Sequence, residues 1–248
     1  MIETNIKGKV ILVAGATGGI GSGVARKLNR EGARLILLGR NEVLLKELQE
    51  ELQGETDFFV CDFMEIEKLN EVFLFVKEQG CKLDGMVYAA GFCEDLPLKS
   101  VSFQDMQKCM TLNYYAYVEL CKHFSSKRYS NEGSSIVALS SMATSYCDKA
   151  MSQYAASKSA VNAATKSMAR EFARRKIRVN AVAPGLVDTR MATGMPDLVE
   201  GGYEAFRGER QTYGIIPVDE IANLIEFLLS EVSGHITGEV LRVIGGVY

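Results

Sequence analysis

The chain has no tryptophan, only two histidines and only four prolines in 248 residues. With His123 and His235 alone, and with Cys61, Cys81, Cys93, Cys109, Cys121 and Cys147 scattered outside any C-x-x-C pair, no zinc-ligand spacing exists and no metal site is expected. Single, scattered cysteines read as reduced thiols packed in a cytoplasmic protein. Neither sign of charge dominates: 28 basic residues face 31 acidic ones, for a formal charge of −3. That balance gives no electrostatic case for nucleic acid or an anionic membrane as partner. No apolar run approaches the roughly 18 residues of a spanning helix. The longest early run, Val10–Ala14, is followed by no small-residue cleavage site, so no signal peptide is expected. With 47% hydrophobic residues, the chain also lacks the polarity of a disordered one.

What it does contain is alternation. Short, continuous Val/Ile/Leu-rich runs at residues 10–14, 34–38, 57–61, 85–89, 135–140, 178–183 and 240–243 read as parallel strands buried on both faces. Helix-length segments fall near 19–31, 41–52, 65–79, 102–128, 151–175 and 218–230. Strands alternating with helices predict an α/β fold: a single domain over residues 1–248, with a doubly wound, parallel seven-stranded sheet and helices on both faces. The long Gly- and Met-rich stretch 184–212 has weak periodicity and reads as a substrate-side lid, or as a tolerated surface insertion.

The first strand runs into Gly15-Ala16-Thr17-Gly18-Gly19-Ile20-Gly21 before a helix. Such a turn needs glycine where φ is positive and where main chain must approach a diphosphate. The helix start then offers free N–H groups and the positive end of its dipole. This makes a Rossmann-type dinucleotide turn the reading. The second strand ends in Gly39-Arg40, with no acidic side chain at Gly39 to take a ribose hydroxyl. An arginine there suits a 2′-phosphate, so the expected cofactor is NADP(H). After the third strand, Asp62, next to Phe63, either accepts from the adenine amine or caps the following helix.

Tyr154 and Lys158 stand four apart in a helical segment and so share a face. A cation beside a phenol stabilises the phenolate, which would make Tyr154 a usable proton donor and acceptor. Ser140-Ser141 ends the fifth strand at the sheet edge where open α/β folds bind ligands. Asn113 inside the long fourth helix is poorly placed for helix propensity; a kink there, or simple exposure, would account for it.

Gly15-x3-Gly19-Ile20-Gly21, Asp62, Asn113, Ser141, Tyr154-x3-Lys158 and Pro184-Gly185 with Thr189, in this order, resemble the short-chain dehydrogenase/reductase family, and the resemblance runs over nearly the whole chain. It implies an oxidoreductase that moves hydride between a nicotinamide and a carbonyl or secondary alcohol. Tyr154 would exchange the proton, Lys158 would lower its pKa and hold the nicotinamide ribose, and Ser141 would orient the substrate oxygen. Asn113 would hold a water in a proton relay. Val187 and Thr189 would clamp the carboxamide, while Ala89-Ala90-Gly91 would admit the cofactor ribose. Where the family usually has Asn-Asn-Ala-Gly, this chain has Tyr88-Ala89-Ala90-Gly91. It is most similar to 3-oxoacyl carrier-protein reductases, with a free small ketone (steroid, sugar or polyol type) as the alternative and a non-catalytic dinucleotide-binding regulator behind that. Of the basic pair used for carrier docking, Arg175 matches one position and Glu132 replaces the other. Met142, Tyr146, Met151, Met191 and Met195 would line an adaptable pocket, unless the methionines are core. The resemblance also implies a homodimer or homotetramer through the two long helices; Ala155, Ala160, Ala163, Ala164 and Met168 would permit close helix packing there, or could face the internal sheet.

Overall fold

The computed structural model describes residues 4–189 and 211–246. Seven parallel strands form one sheet: β1 (Val10–Ala14), β2 (Arg34–Gly39), β3 (Thr56–Val60), β4 (Leu83–Tyr88), β5 (Ser130–Leu139), β6 (Arg178–Pro184) and β7 (Val240–Val243). Their order is β3-β2-β1-β4-β5-β6-β7, so the winding reverses between β1 and β4. Seven α-helices cover the sheet among the described residues: α1 (Gly19–Arg30), α2 (Glu42–Glu51), α3 (Asn70–Glu78), α4 (Phe103–Met110), α5 (Ala116–Phe124), α6 (Ser152–Glu171) and α7 (Val218–Leu229).

The strand pattern follows from this burial. In β1, Leu12 and Ala14 face the layer built by α3, α5 and α6, while Ile11 and Val13 face α1, α2 and α7. A strand covered on both sides has no polar face to alternate with. The expectation of two-sided burial fails at the edges, where β3 and β7 are only partly covered and Val60 is exposed. β5 starts five residues before the expected 135, because its first half is a polar Ser-Asn-Glu-Gly stretch. Pairing with β4 shifts register between Leu83 and Gly85, and Gly133 takes a positive φ of 79°.

The expected fourth helix, 102–128, is interrupted. A π turn over Thr111–Tyr115 separates α4 from α5 and carries Asn113 inward, to full burial. The small residues of α6 do not form one exposed stripe, since Ala155 and Met168 are buried and Ala164 packs on the core. All six sulfurs are unbridged, and Cys147 is exposed. No helix among the described residues is long and apolar enough to cross a membrane. Most of the 184–212 stretch, with Met191 and Met195, lies outside the described residues.

Candidate active site

A cavity of about 1110 Å³ opens over the carboxyl ends of the strands at the winding reversal. That exceeds the roughly 300–1,000 Å³ of ordinary small-molecule sites. Gly15, Thr17, Gly18, Gly19, Ile20, Arg40, Asp62, Phe63, Ala89, Ala90, Gly91, Ser141, Tyr154, Lys158, Pro184, Gly185, Val187 and Thr189 all line it. Of the residues singled out from sequence, Gly21 and Asn113 stand behind the wall.

The turn after β1 is shaped by contacts that a side chain would forbid. Gly15 has φ +78°, and a Cβ there would lie 2.5 Å from the Ala90 nitrogen. A Cβ on Gly21 would lie 2.1 Å from the Gly15 carbonyl oxygen, and one on Gly19 would lie 2.6 Å from Cγ2 of Thr189. α1 has no side-chain N-cap and no acidic residue in its first turn. Its N-terminus therefore keeps the N–H groups and dipole that suit a phosphate. Arg40 lies exposed on the cavity rim, beyond the end of β2. Asp62 uses Oδ1 to accept from the Met64 amide at 2.9 Å, which shapes the loop after β3.

The polar cluster sits where β5 meets α6. Ser141 is extended and caps a short 3-10 turn, its Oγ accepting from the Ala143 amide at 3.1 Å. The nearby Ser141 hydroxyl acts against burial at the Tyr154 phenol, favouring the phenolate. One turn along α6, the buried Lys158 donates to the Leu139 carbonyl at 2.9 Å and lies 5.9 Å from the Tyr154 ring centroid. The expected lowering of the phenol's pKa is not the dominant effect. Withdrawal from water pushes the Tyr154 phenol up and the Lys158 amine down to about 8, because burial disfavours whichever form is charged.

Asn113 braces this cluster from behind. Its Oδ1 accepts from the Phe92 amide at 2.8 Å, and its Nδ2 donates to the Phe92 carbonyl at 2.9 Å and to Ser157 Oγ at 2.9 Å. Its side chain is thus directed at protein partners, tying the loop after β4 to α6. The π turn that places it has its own support. The buried Tyr88, standing where an asparagine is usual, donates its hydroxyl to the Leu112 carbonyl.

The cavity is also lined by the apolar or aromatic Phe92, Pro97, Leu98, Met142, Tyr146 and Met151 and by the charged Asp95, Asp148 and Lys149. Burial, and then the nearby Asp148, raise the Asp95 carboxyl. Phe92, Cys93 and Asp95 were not singled out from sequence. They belong to a loop whose only signal is its position after β4. Arg175, by contrast, lies far from the mouth. Its guanidinium donates to Ser125 O (2.6 Å), Ser130 Oγ (3.0 Å) and Ser130 O (2.8 Å), while Glu132 pairs with Lys176 at 3.0 Å. Within the chain, the donors of Arg175 are thus used in holding β5 to the end of α5.

A family model described as Enoyl-(Acyl carrier protein) reductase matches residues 15–248. The 3-oxoacyl-[acyl-carrier-protein] reductase FabG of Rickettsia bellii is 32% identical over 245 residues, covering 98% of each chain. The 3alpha-hydroxysteroid dehydrogenase of Mediterraneibacter gnavus is 30% identical over 252 residues, covering 97% of each. A solved short-chain type dehydrogenase/reductase from Mycobacterium ulcerans superposes with TM-score 0.89 at 26% identity, over 97% of this chain and 90% of the other. One from Sinorhizobium meliloti 1021 gives 0.87 at 29% identity, over 98% and 97%.

Proposed function

The chain belongs to the short-chain dehydrogenase/reductase family, and from that premise we propose that it is an NADP(H)-dependent oxidoreductase acting on a carbonyl or secondary alcohol, of 3-oxoacyl type. The observation that carries this reading is the meeting of Ser141, Tyr154 and Lys158 in the same cavity as a glycine turn with no room for a Cβ.

The residues present fit a dinucleotide. Gly15, Thr17, Gly18, Gly19, Ile20 and Gly21 with the uncapped α1 N-terminus would take the diphosphate, Arg40 the 2′-phosphate, and Asp62 with Phe63 the adenine side. Ala89, Ala90, Gly91, Tyr154 and Lys158 would hold the nicotinamide ribose, and Pro184, Gly185, Val187 and Thr189 the carboxamide. When bound, NADP(H) supplies the hydride; the chain supplies position and a proton. Ser141 donates to the substrate oxygen and orients it. Tyr154 moves the proton at that oxygen, and charged Lys158 stabilises its phenolate. Asn113 keeps α6 and the loop after β4 in register. A homodimer or homotetramer through the α4–α6 region is supported by Phe103, Met106 and Tyr115, which stand exposed there.

A second reading, reduction of a free apolar ketone, is favoured by one observation: Arg175 and Glu132, the positions for carrier docking, are spent on Ser125, Ser130 and Lys176. NADPH oxidation with 3-oxoacyl thioesters, carrier-bound and free, and with a free steroid ketone separates the two. NADPH should outperform NADH, Arg40→Asp should reverse that preference, and Tyr154→Phe should bind NADPH but lose turnover. Wild-type protein that binds NADPH and turns over none of these substrates would favour the regulator instead.

A further inference from the structure

Gln211 is almost fully buried, at 1% exposure, among main chain. An amide withdrawn from water destabilises the fold unless its donors and acceptor are paired. Here they are. Oε1 accepts from the Leu186 N–H at 2.8 Å, and Nε2 donates to the Leu186 carbonyl at 3.1 Å and to the Gly214 carbonyl. One side chain thus takes both main-chain groups of a single residue, in the way an added strand would.

Two glycines make the space. A Cβ on Gly185 would come within 2.5 Å of Gln211 Oε1, and one on Gly245 within 2.8 Å of its Cγ. Gly245, near the end of the described residues, is therefore part of this socket, and the Tyr213 amide donates to the Gly245 carbonyl at 2.9 Å. Leu186 leads directly into the segment 187–189. That segment runs against Ile216, whose amide reaches the Leu186 carbonyl and whose carbonyl takes the Asp188 amide, each at 3.0 Å. At its far end Thr189 packs where a Gly19 Cβ would collide. The segment is held at its root by Gln211 and rests at its tip on the phosphate turn.

We propose that Gln211 is a positioning residue: through Leu186 it sets the placement of the 187–189 segment over the nicotinamide end of the cofactor. It touches no reacting atom. This rests on the dinucleotide reading above, so the test uses two ligands. The full chain and its Gln211→Leu and Gln211→Glu variants are titrated with NADPH and with adenosine 2′,5′-bisphosphate, which lacks the nicotinamide half. Gln211→Leu should weaken NADPH about tenfold, the scale of one or two hydrogen bonds, and leave the bisphosphate within about twofold. KM for NADPH should rise and kcat should fall. Gln211→Glu keeps the acceptor for Leu186 but sets a carboxylate against two carbonyls, and should give the same split; it carries the test if the leucine variant does not fold. Equal loss for both ligands, or a lower Tm with both affinities unchanged, marks a merely structural residue and overturns the proposal. Wild-type protein that binds neither ligand removes the cofactor reading, and this inference with it.

Discussion

Burial takes the Lys158 amine from its ordinary 10.5 to about 8, so at neutral pH the folded protein holds a charge it would be more stable without. The sign follows from proton counting. Between about 8 and 10.5 the unfolded lysine is protonated and the folded one is losing its proton, so the unfolded state binds more protons and stability rises with pH. The unfavourable contribution is fully present below about 8 and is relieved as pH climbs toward 10.5. Lys158→Met removes it at the loss of one hydrogen bond, to the Leu139 carbonyl. The variant should be more stable than wild type at pH 7, by an amount on the order of 1–3 kcal/mol after that bond is discounted. It should also lose turnover. Urea unfolding of both proteins across pH 7–10 checks this: the gap should close as pH rises, and a gap that stays constant or widens would contradict it. Under the proposed function the lost stability has a use, since a charged amine beside the phenol would help Tyr154 release and regain its proton.

At the scale of the element, the π turn is what brings Asn113 out of an exposed helical position and behind the active site. A turn with a shifted hydrogen-bond register leaves a carbonyl to be satisfied by something other than the helix. The Tyr88 hydroxyl does this at Leu112, and deep burial keeps that phenol protonated. Tyr88→Phe leaves the carbonyl without that donor in a fully packed layer. The expected effect is a loss of about 1–3 kcal/mol in chemical denaturation and a lower kcat with KM for substrate little changed. Unchanged stability would mean the turn stands without it. How far such features are legible in sequence depends on where the partners lie. β1 and β2 are legible because two-sided burial writes itself as unbroken Ile, Leu and Val. The glycine turn after β1 is legible because the missing Cβ atoms recur at a fixed spacing. The start of β5 is not, because its polar residues find partners far along the chain: Ser130 with Arg175, Asn131 with Asp84 and Glu132 with Lys176. Gln211 is not legible either, since its partners are main-chain groups, those of Leu186 25 residues away, and carry no side-chain signal. Asn113 gives half of the answer: its unsuitability for a helix is visible, but the π turn and Tyr88 are a tertiary solution.

For the whole molecule, parallel strands give the sheet a direction, and the direction separates two sets of residues. Ser141, Tyr154 and the cavity lie over the carboxyl ends of the strands, whereas Ser130 opens β5 at the other end. α6 is 20 residues long and starts two residues before Tyr154, so its far end at Glu171 lies roughly 26 Å from Tyr154 at 1.5 Å per residue. Arg175 follows at its far end, where it ties the end of α5 to the start of β5. Its charge-assisted bonds to those carbonyls make it a stabilising strut, at the opposite end of the strands from the cavity in its own chain. Arg175→Ala should therefore destabilise by about 2 kcal/mol, lowering Tm by roughly 4–8 °C for a domain of this size. At a temperature where the variant is folded, kcat/KM for a free ketone should match wild type within about twofold, because the cavity and Gln211 socket are untouched. Differential scanning calorimetry with parallel kinetics on carrier-bound and free thioesters checks both halves. A fall in kcat/KM confined to the carrier-bound substrate, in a variant as stable as wild type, would return Arg175 to a docking role. Because the distance within one chain is too long, that docking surface would then have to be completed by a second copy.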